Sequence, residues 1–366
     1  MHTVLVLGGY GFFGQRISEA LAADASVRVL VAGRNVDKAA AVAATLKLPA
    51  DQAIALDAND PGLARRLREL RVDTLIHTAG PFQSQGYAVA KAAIDAGCHY
   101  IDLADGREFV TGIESLDGLA RERGVTVISG ASSVPALSSA VIDRYLPQFQ
   151  RLDSIESGIS SGARSPGLAT VKGVFSYGGK PFREWRRGAW RTTHGWLDLR
   201  RHRFPDPFGS RLVGSCDIPD LTLFPKRYPT VRTVSFHAGF GSDLGHLVVW
   251  SLAALVRVRL LPSLTPCAAP LNYMSRWIEP WVSDQSGMFV SLIGEGAEGK
   301  LLHVNWNLLA RQNHGPHVPC GAAIALARKL ANGAGLPQGA MPCVGLLTVK
   351  EFLYPLRNLD IREVVE

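Results

Sequence analysis

Residues 4–14, Val-Leu-Val-Leu-Gly-Gly-Tyr-Gly-Phe-Phe-Gly, join a short apolar run directly to a glycine-rich turn. A helical pattern follows, and a second apolar run at 27–31 ends in Ala32-Gly33-Arg34. This order of strand, glycine turn, helix and strand is typical of a dinucleotide-binding βαβ unit. In such a unit Gly9 permits the tight turn, Gly11 lets the backbone approach a pyrophosphate, and Gly14 lets the helix pack closely on the strand.

The turn and the ends of the following strands are the predicted nucleotide contacts. The N-terminus of the first helix offers free N–H groups and the positive end of its dipole to phosphates. Small residues at the end of the fourth strand would allow a close approach of the ribose and nicotinamide. The predicted cofactor-binding residues are Gly9, Tyr10, Gly11, Phe12, Phe13, Gly14, Arg34, Asp57, Ala58, Ala79, Gly80 and Pro81.

The residue after the second strand predicts which dinucleotide binds. NAD sites usually carry an acidic residue there, which accepts a hydrogen bond from the ribose 2′-hydroxyl. This chain has Arg34 and no acid at that strand end. A guanidinium can bind a 2′-phosphate with two hydrogen bonds, whereas a carboxylate would repel it. We therefore predict NADP, with NAD as the less favoured alternative.

Length and composition predict a globular chain of two domains. The chain has 366 residues, of which 47% are hydrophobic and 19% charged. The first apolar run is too short for a signal peptide and lacks a basic flank. Five widely spaced cysteines without a Cys-x-x-Cys pair favour a reducing cytoplasm and no metal site. His314 and His317 have a ligand-like spacing, but a loop pair is the favoured interpretation.

Charge is distributed unevenly along the chain. The net charge is +7. Residues 180–211 hold Lys180 and eight arginines against three acids, with three tryptophans among them. We interpret this segment as a solvated excursion of the second domain and expect no nucleic-acid partner. An apolar run at 247–256 is half as long as a membrane span and predicts a buried helix or strand. Membrane contact at these two segments is the less favoured alternative.

Repeated apolar segments predict the fold class. Short Val-, Ile- and Leu-rich runs alternate with helical patterns through residue 131, which indicates a doubly wound parallel sheet of order 3-2-1-4-5-6. Alternating segments after 131, among them a hairpin at 288–309, predict a second α+β domain with a mostly antiparallel mixed sheet. The predicted domains are 1–131 for nucleotide binding and 132–339 for substrate and dimerisation, with 340–366 returning to the first. Strand candidates in the first domain are 3–7, 27–32, 53–57, 73–77, 99–103 and 125–129.

Polar residues at the ends of the fourth and fifth strands are candidates for proton transfer. They are Tyr100, Asp102 and His77, in falling order of preference. A helix predicted from 135, after a Ser133 cap, could bind an anionic substrate group at its N-terminus. Tyr87 and Lys91 have the Tyr-x-x-x-Lys spacing of short-chain dehydrogenases. They follow the fourth strand rather than the fifth, so we interpret them as ordinary helical residues.

The combined motifs resemble the saccharopine dehydrogenase-like oxidoreductases. The resemblance is carried by Gly8–Gly14, Ala32-Gly33-Arg34, Leu56–Asp60, Ala79–Phe82 and Lys91–Asp102. It implies a Rossmann domain, a substrate domain with a mixed sheet, a pyridine nucleotide and a homodimer. The chain lacks an obvious match to the lysine–histidine pair of the saccharopine-forming enzymes, so saccharopine is not the predicted substrate.

Three functional hypotheses follow. The first is an NADP-dependent oxidoreductase that transfers hydride at an interdomain cleft to or from a small substrate, for which an anion is one option. The second is a non-catalytic nucleotide-binding or membrane-associated scaffold. The third is an enzyme of the short-chain dehydrogenase or epimerase type, which would depend on Tyr87.

Overall fold

The computed structural model describes residues 1–162, 168–278 and 282–366. These residues divide into two compact units. The first unit comprises Met1–Leu137 and His317–Pro355, and the second comprises Ser138–Pro316 and Leu356–Glu366. The chain therefore returns to the first unit after building most of the second, and its last residues belong to the second.

The elements of the first unit alternate between strand and helix. In its N-terminal segment they are β1 (His2–Leu7), α1 (Gly14–Ala22), β2 (Val27–Gly33), α2 (Val36–Thr45), β3 (Ala53–Ala55), α3 (Leu63–Glu69), β4 (Thr74–His77), α4 (Ala88–Ala96), β5 (His99–Asp102), α5 (Arg107–Gly112), α6 (Asp117–Glu122) and β6 (Thr126–Ser129).

The second unit is richer in strands. Its elements up to residue 310 are α7 (Ser138–Tyr145), β7 (Arg151–Ser161), α8 (Leu168–Ser176), β8 (Pro181–Arg186), β9 (Ala189–His194), β10 (Arg200–Phe204), β11 (Gly209–Ser215), α9 (Asp220–Arg227), β12 (Thr233–Phe240), α10 (Asp243–Arg257), α11 (Ala268–Ile278), β13 (Ser286–Glu295) and β14 (Leu301–Ala310). The C-terminal part of the chain adds α12 (Gly321–Ala331), β15 (Gly339–Pro342), α13 (Val349–Leu353) and β16 (Ile361–Val365).

The first unit is built on a parallel sheet. Within the described residues its strands lie in the order β3-β2-β1-β4-β5-β6-β15. The first six have the predicted order, and the predicted Rossmann fold class is confirmed. Apolar residues such as Leu5 and Leu30 are fully buried, as expected for strands covered on both faces. The added strand β15 pairs with β6; four residues bounded by glycine and proline give little strand signal in a sequence.

The second unit is built on a mixed sheet. Along its main path the described strands have the order β10-β11-β12-β7-β13-β14-β16, and β8 joins β12 to β9. Only β12 and β7 pair in parallel among these strands. The predicted hairpin is present as β13 and β14, and the mostly antiparallel sheet of the second domain is confirmed.

The C-terminal part of the chain contributes to both units. Helix α12 belongs to the first unit, where Arg328 lies 3.2 Å from Asp24 and Gly321 packs against Phe352. The sequence-based division placed this helix in the second domain. Its first seven residues, Gly321–Ala327, are Ala-rich and buried, and such a surface does not indicate which unit buries it.

The end of the chain divides in the same way. Helix α13 begins with a capping box, in which Thr348 Oγ1 accepts from the Glu351 N–H and the Glu351 carboxylate accepts from the Thr348 N–H. This helix belongs to the first unit, whereas β16 pairs with β14 in the second. Residues 340–366 thus do not all return to the first unit.

Candidate functional site

The carboxyl ends of the central parallel strands lie side by side. Leu7 at the end of β1 pairs with Ala32 of β2 and with His77 of β4. His77 in turn pairs with Asp102 at the end of β5. The segments that follow these strands therefore meet at one edge of the sheet, where ligands bind in open α/β sheets.

Backbone hydrogen bonds connect the glycine turn to the second strand. The N–H groups of Gly8 and Gly9 donate to Ala32 O at 2.8 and 3.0 Å, and Gly11 N–H donates to Gly8 O at 2.8 Å. A Cβ atom on Gly14 would lie 2.1 Å from Gly8 O, whereas one on Gly11 would meet only that oxygen, at 3.0 Å. Gly14 thus permits the helix to pack, and the outer side of Gly11 is open to a ligand.

The start of α1 has donors available for phosphate. Among the described residues, the N–H groups of Phe12 and Phe13 have no backbone acceptor. The two rings contact edge to face, with centroids 5.1 Å apart. The Arg16 guanidinium lies 4.3 Å from the Phe12 ring centroid and donates to Phe12 O. A cation therefore stands beside the helix N-terminus, where both would favour an anion.

Tyr10 connects the glycine turn to the end of β2. A Cβ atom on Gly33 would lie 2.4 Å from the Tyr10 ring, so the ring packs where only glycine leaves space. The Tyr10 hydroxyl accepts from the Asn35 N–H at 3.2 Å. Between these anchors Arg34 is exposed, and its guanidinium forms no ion pair or hydrogen bond within the described part of the chain. The guanidinium is therefore available to a ligand.

The segments after β3 and β4 complete this edge. Asp57 is exposed, and its Oδ1 accepts from the Asn59 N–H at 3.0 Å, while Ala58 is half-buried. Thr78 donates through its N–H and its hydroxyl to Leu7 O, at 2.9 and 3.0 Å.

A glutamine holds the next loop. Gln85 Nε2 donates to Ala79 O at 2.8 Å and to Pro81 O at 3.0 Å. Gly80, between them, is half-buried. Sequence analysis missed Thr78 and Gln85, although a hydroxyl and an amide flanking a Gly-Pro loop are residue types that commonly fix loops.

The three predicted proton-transfer residues form one buried cluster. His77, Tyr100 and Asp102 each expose 1% or less of their surface. His77 Nδ1 lies 3.2 Å from the Tyr100 hydroxyl. Asp102 Oδ1 accepts from the N–H groups of Ala104 and Gly130 and from the Ser129 hydroxyl, at 2.8 to 3.0 Å. Asp102 therefore ties the end of β5 to the end of β6.

Burial sets the protonation of this cluster. It raises the pKa of Asp102 to about 6 and lowers the pKa of His77 to about 4. Burial and the nearby Asp102 charge raise the pKa of Tyr100 well above its ordinary value. At neutral pH the cluster thus holds a neutral imidazole, a neutral phenol and a carboxylate.

Tyr87 makes structural contacts with Phe109. It precedes α4, and its hydroxyl donates to Phe109 O at 2.7 Å while the two rings pack 4.9 Å apart. Lys91 is exposed. These contacts favour the interpretation of ordinary helical residues over a short-chain dehydrogenase pair.

The predicted anion-binding helix starts later than expected. Val134 is extended, with φ −125° and ψ 131°, so regular helix begins at Ser138 rather than at 135. The Ser138 hydroxyl donates to Asp220 Oδ2 at 2.5 Å, and Asp220 is buried. A carboxylate thus already faces this N-terminus, which removes the structural argument for a substrate anion there.

The arginine-rich segment of the second unit contributes to a cluster of charged groups. Arg186 lies 2.6 Å from the fully buried Glu184 and 2.9 Å from Asp198. Arg200 lies 3.1 Å from Asp198. His237 and Arg186 hold the pKa of the Asp198 carboxyl well below its usual range. Part of the segment is therefore paired with acids rather than solvated.

His237 is the central group of this cluster. It is fully buried, and its Nδ1 lies 3.5 Å from Glu156. Neither of its ring nitrogens has a hydrogen-bond partner among the described residues. Sequence analysis missed this cluster because its members come from separate strands, β7, β8, β10 and β12, together with the turn before β10.

His314 and three of the cysteines have structural environments. His314 Nδ1 accepts from the Asp360 N–H at 3.0 Å. Within the described residues no group of His, Cys, Asp and Glu side chains could hold a metal. Burial raises the pKa of the Cys98, Cys216 and Cys320 thiols to about 12, so these thiols stay protonated and unreactive.

The glycine turn, the exposed arginine and the adjoining strand ends define a dinucleotide-binding domain. Residues 4–128 match the family model of the saccharopine dehydrogenase NADP binding domain. The match confirms the predicted saccharopine dehydrogenase-like family, the oxidoreductase class and the cofactor NADP.

Solved structures share the fold over the whole chain. Saccharopine dehydrogenase (L-Glu forming) from Saccharomyces cerevisiae is 16% identical, with a TM-score of 0.69 and coverage of 100% of both chains. Amine dehydrogenase from Mycobacterium smegmatis is 13% identical, with a TM-score of 0.50 and coverage of 96% of this chain and 95% of that one. No curated protein matches the chain. At these identities the likeness shows the fold alone.

Proposed function

We propose that this protein transfers hydride between NADP and a small substrate at the carboxyl edge of its parallel sheet. The observation that carries the proposal is Arg34, exposed and without a partner among the described residues, beside a glycine turn whose helix presents N–H groups that have no backbone acceptor there. NADP supplies or accepts the hydride when bound, and the protein orients it. The interdomain cleft, the homodimer and the anionic character of the substrate stay predictions.

The residues at this edge fit the parts of the cofactor. We infer that the N–H groups of Phe12 and Phe13 bind the pyrophosphate, and that Gly11 allows its approach. Arg34 would bind the 2′-phosphate with charge-assisted hydrogen bonds. Tyr10 and the segment at 57–58 would flank the adenosine, and the segment at 79–81 would contact the nicotinamide half. Gly9 and Gly14 act by shaping the turn.

The buried cluster has a positioning role in this proposal. A proton donor must reach the substrate, whereas Tyr100, Asp102 and His77 each expose 1% or less of their surface. Asp102 fixes the two strand ends through three accepted hydrogen bonds. We infer that the cluster fixes the positions of the strand ends that would contact the nicotinamide half of the cofactor. Proton transfer by these residues stays a prediction.

Titration with NADPH and NADH tests the proposal. We expect the wild-type protein to bind NADPH at least tenfold more tightly than NADH. Arg34→Gln should weaken NADPH binding by about 10- to 100-fold, since hydrogen bonds to a charged group contribute about 1.5–3 kcal/mol. NADH binding should stay unchanged, because NADH has no 2′-phosphate.

Arg123→Gln is the matched control. Arg123 is an exposed arginine of the same unit that follows α6 and precedes β6, so its replacement removes the same charge at the amino end of a strand, away from the carboxyl edge. It should leave both affinities unchanged. Equal wild-type affinities for the two cofactors, or an equal loss of NADPH affinity in both variants, would refute the role of Arg34.

A further inference from the structure

Helix α10 presents an apolar stripe outward. Four aliphatic residues on its outer face are 37–74% exposed: Leu244, Leu247, Val248 and Leu255. At about 100° per residue they fall, with Ser251, within an arc of about 100°. The opposite face, which includes Val249 and Ala253, is buried. The helix thus has a packed inner face and a second apolar face without a partner among the described residues.

The end of this helix is basic as well as apolar. Val258 and Leu260, which follow it, are 62% and 72% exposed. Arg257 precedes Val258, and Arg259 lies between Val258 and Leu260. Both arginines are exposed, and together with Lys180 they line an open cavity of about 430 Å³. Residues 244–278 contain three arginines and no aspartate or glutamate. We call this the basic–apolar surface, formed by Leu244, Leu247, Val248, Leu255, Val258, Leu260, Lys180, Arg257 and Arg259.

We propose that the basic–apolar surface docks on an anionic phospholipid membrane. A helix lying in the membrane interface buries aliphatic side chains at the boundary between headgroups and acyl chains. Arginine and lysine beside it interact with anionic headgroups, and each contributes about fivefold to the binding constant. Exposed aliphatic side chains and arginines are both present on the continuous stretch 244–260. Docking of this kind does not require a membrane-spanning segment. Among the described residues no helix has the length and apolar character to cross a bilayer.

Charge disfavours a second copy of the chain as the occupant. A two-fold dimer brings the same patch of both copies together. Each patch carries Lys180, Arg257 and Arg259, and residues 244–278 offer no acid to pair with them. Like charges would therefore oppose the contact, whereas an anionic surface complements it.

The arginine-rich strands are a weaker candidate for the same role. Arg186 and Arg200 bind Asp198, and Arg201 lies 3.1 Å from Asp243. Guanidinium groups already paired with carboxylates gain less from anionic headgroups. The membrane hypothesis is therefore centred on the end of α10 and Lys180, where cations lie beside exposed aliphatic side chains.

Vesicle co-sedimentation tests the proposal with the full chain. The probes are vesicles of phosphatidylcholine alone and vesicles in which a quarter of the lipid is phosphatidylserine. We expect sedimentation with the anionic vesicles that weakens as salt is added, and little with the neutral ones. Arg257→Gln with Arg259→Gln should weaken binding about 25-fold, as two fivefold losses. Leu247→Ser with Leu255→Ser should also weaken it, at unchanged net charge.

Control variants separate this surface from general charge and from misfolding. Arg65→Gln with Arg123→Gln removes the same charge from exposed positions in the first unit and should leave vesicle binding intact. Every variant should keep the circular-dichroism spectrum and the thermal unfolding transitions of the wild type, so a folded protein that loses only vesicle binding is distinguishable from an unfolded one.

Two results would overturn the proposal. One is a wild-type protein that stays in the supernatant with anionic vesicles, or that loses binding equally in the control variant. The other is a dimer in sedimentation velocity that Leu247→Ser with Leu255→Ser dissociates, without vesicle binding by the wild type, because the surface would then be a contact between copies. Neither result bears on NADP binding, which is measured separately.

Discussion

Gly14→Ala is expected to destabilise the first unit through one steric contact. The new Cβ atom would lie 2.1 Å from Gly8 O, 2.8 Å from Gly8 C and 2.9 Å from Gly9 Cα. An ordinary contact begins near 3.4 Å, so the helix and the turn must separate by 1.3 Å. Gly8 O cannot yield freely, because it accepts the Gly11 N–H bond that closes the turn.

The energetic cost follows from what the shift disturbs. Helix α1 buries Ile17 and Leu21 completely, and displacing such a packed helix costs about 3 kcal/mol, the upper end for overpacking. Alanine is a better helix former than glycine by about 1 kcal/mol, which leaves a net loss of about 2 kcal/mol. For a unit of this size that corresponds to a fall in melting temperature of about 4–8 °C.

Gly11→Ala is the comparison that isolates the mechanism. Its Cβ atom would meet only Gly8 O, at 3.0 Å, so we expect a stability loss below about 1 kcal/mol. Its methyl group would stand where a pyrophosphate approaches the backbone, and NADPH affinity should fall. Thermal unfolding and NADPH titration of both variants are the measurements. A Gly14→Ala protein that melts within a degree of wild type, or a Gly11→Ala protein with full NADPH affinity, would refute the reasoning.

Two further predictions concern buried charge. The pKa of Asp102 is about 6 in the folded protein and about 3.9 when unfolded. Between these pH values the folded state therefore binds more protons than the unfolded state. The free energy of unfolding thus falls as pH rises from about 4 to about 6. Asp102→Asn does not titrate, and its stability relative to wild type should rise by about 2 kcal/mol from pH 4 to pH 7 in urea unfolding; a difference independent of pH would contradict this. Arg186→Met leaves the fully buried Glu184 carboxylate without its cation and should lower the free energy of unfolding by about 3 kcal/mol. Arg187→Met is the control at an exposed neighbouring residue, and it should change the free energy of unfolding by less than about 0.5 kcal/mol. Adding Glu184→Gln to Arg186→Met should recover part of the loss, and no recovery would show that the cost lies elsewhere.

The nucleotide-binding half could be predicted from local sequence because each step there depends on neighbours in the chain. The glycine turn contacts β2, the next strand, through Ala32. Parallel strands buried on both faces appear as continuous apolar runs, and their order follows from the handedness of the crossovers. Strand β15 escaped prediction because it pairs with β6 across more than 200 residues of intervening chain.

The roles of Tyr100, Asp102 and His77 could not be predicted in the same way. Sequence position places all three at strand ends, where a polar side chain can face a ligand or close over the core. The outcome depends on Ser129 and Gly130, which approach Asp102 from the next strand. A polar residue at a strand end therefore predicts where a catalytic group could lie. It does not predict whether the side chain is exposed to a substrate.

The second unit shows how partner charges decide the meaning of a basic segment. Nine cations between 180 and 211 suggest an anionic partner when they are counted along the chain. Folding brings Glu184, Asp198 and Asp243 within reach of Arg186, Arg200 and Arg201, so these arginines are satisfied internally. The end of α10 has fewer cations but none of these acids, and its aliphatic side chains are exposed. Available charge beside exposed apolar surface, rather than total charge, is therefore the feature that selects a membrane-facing candidate.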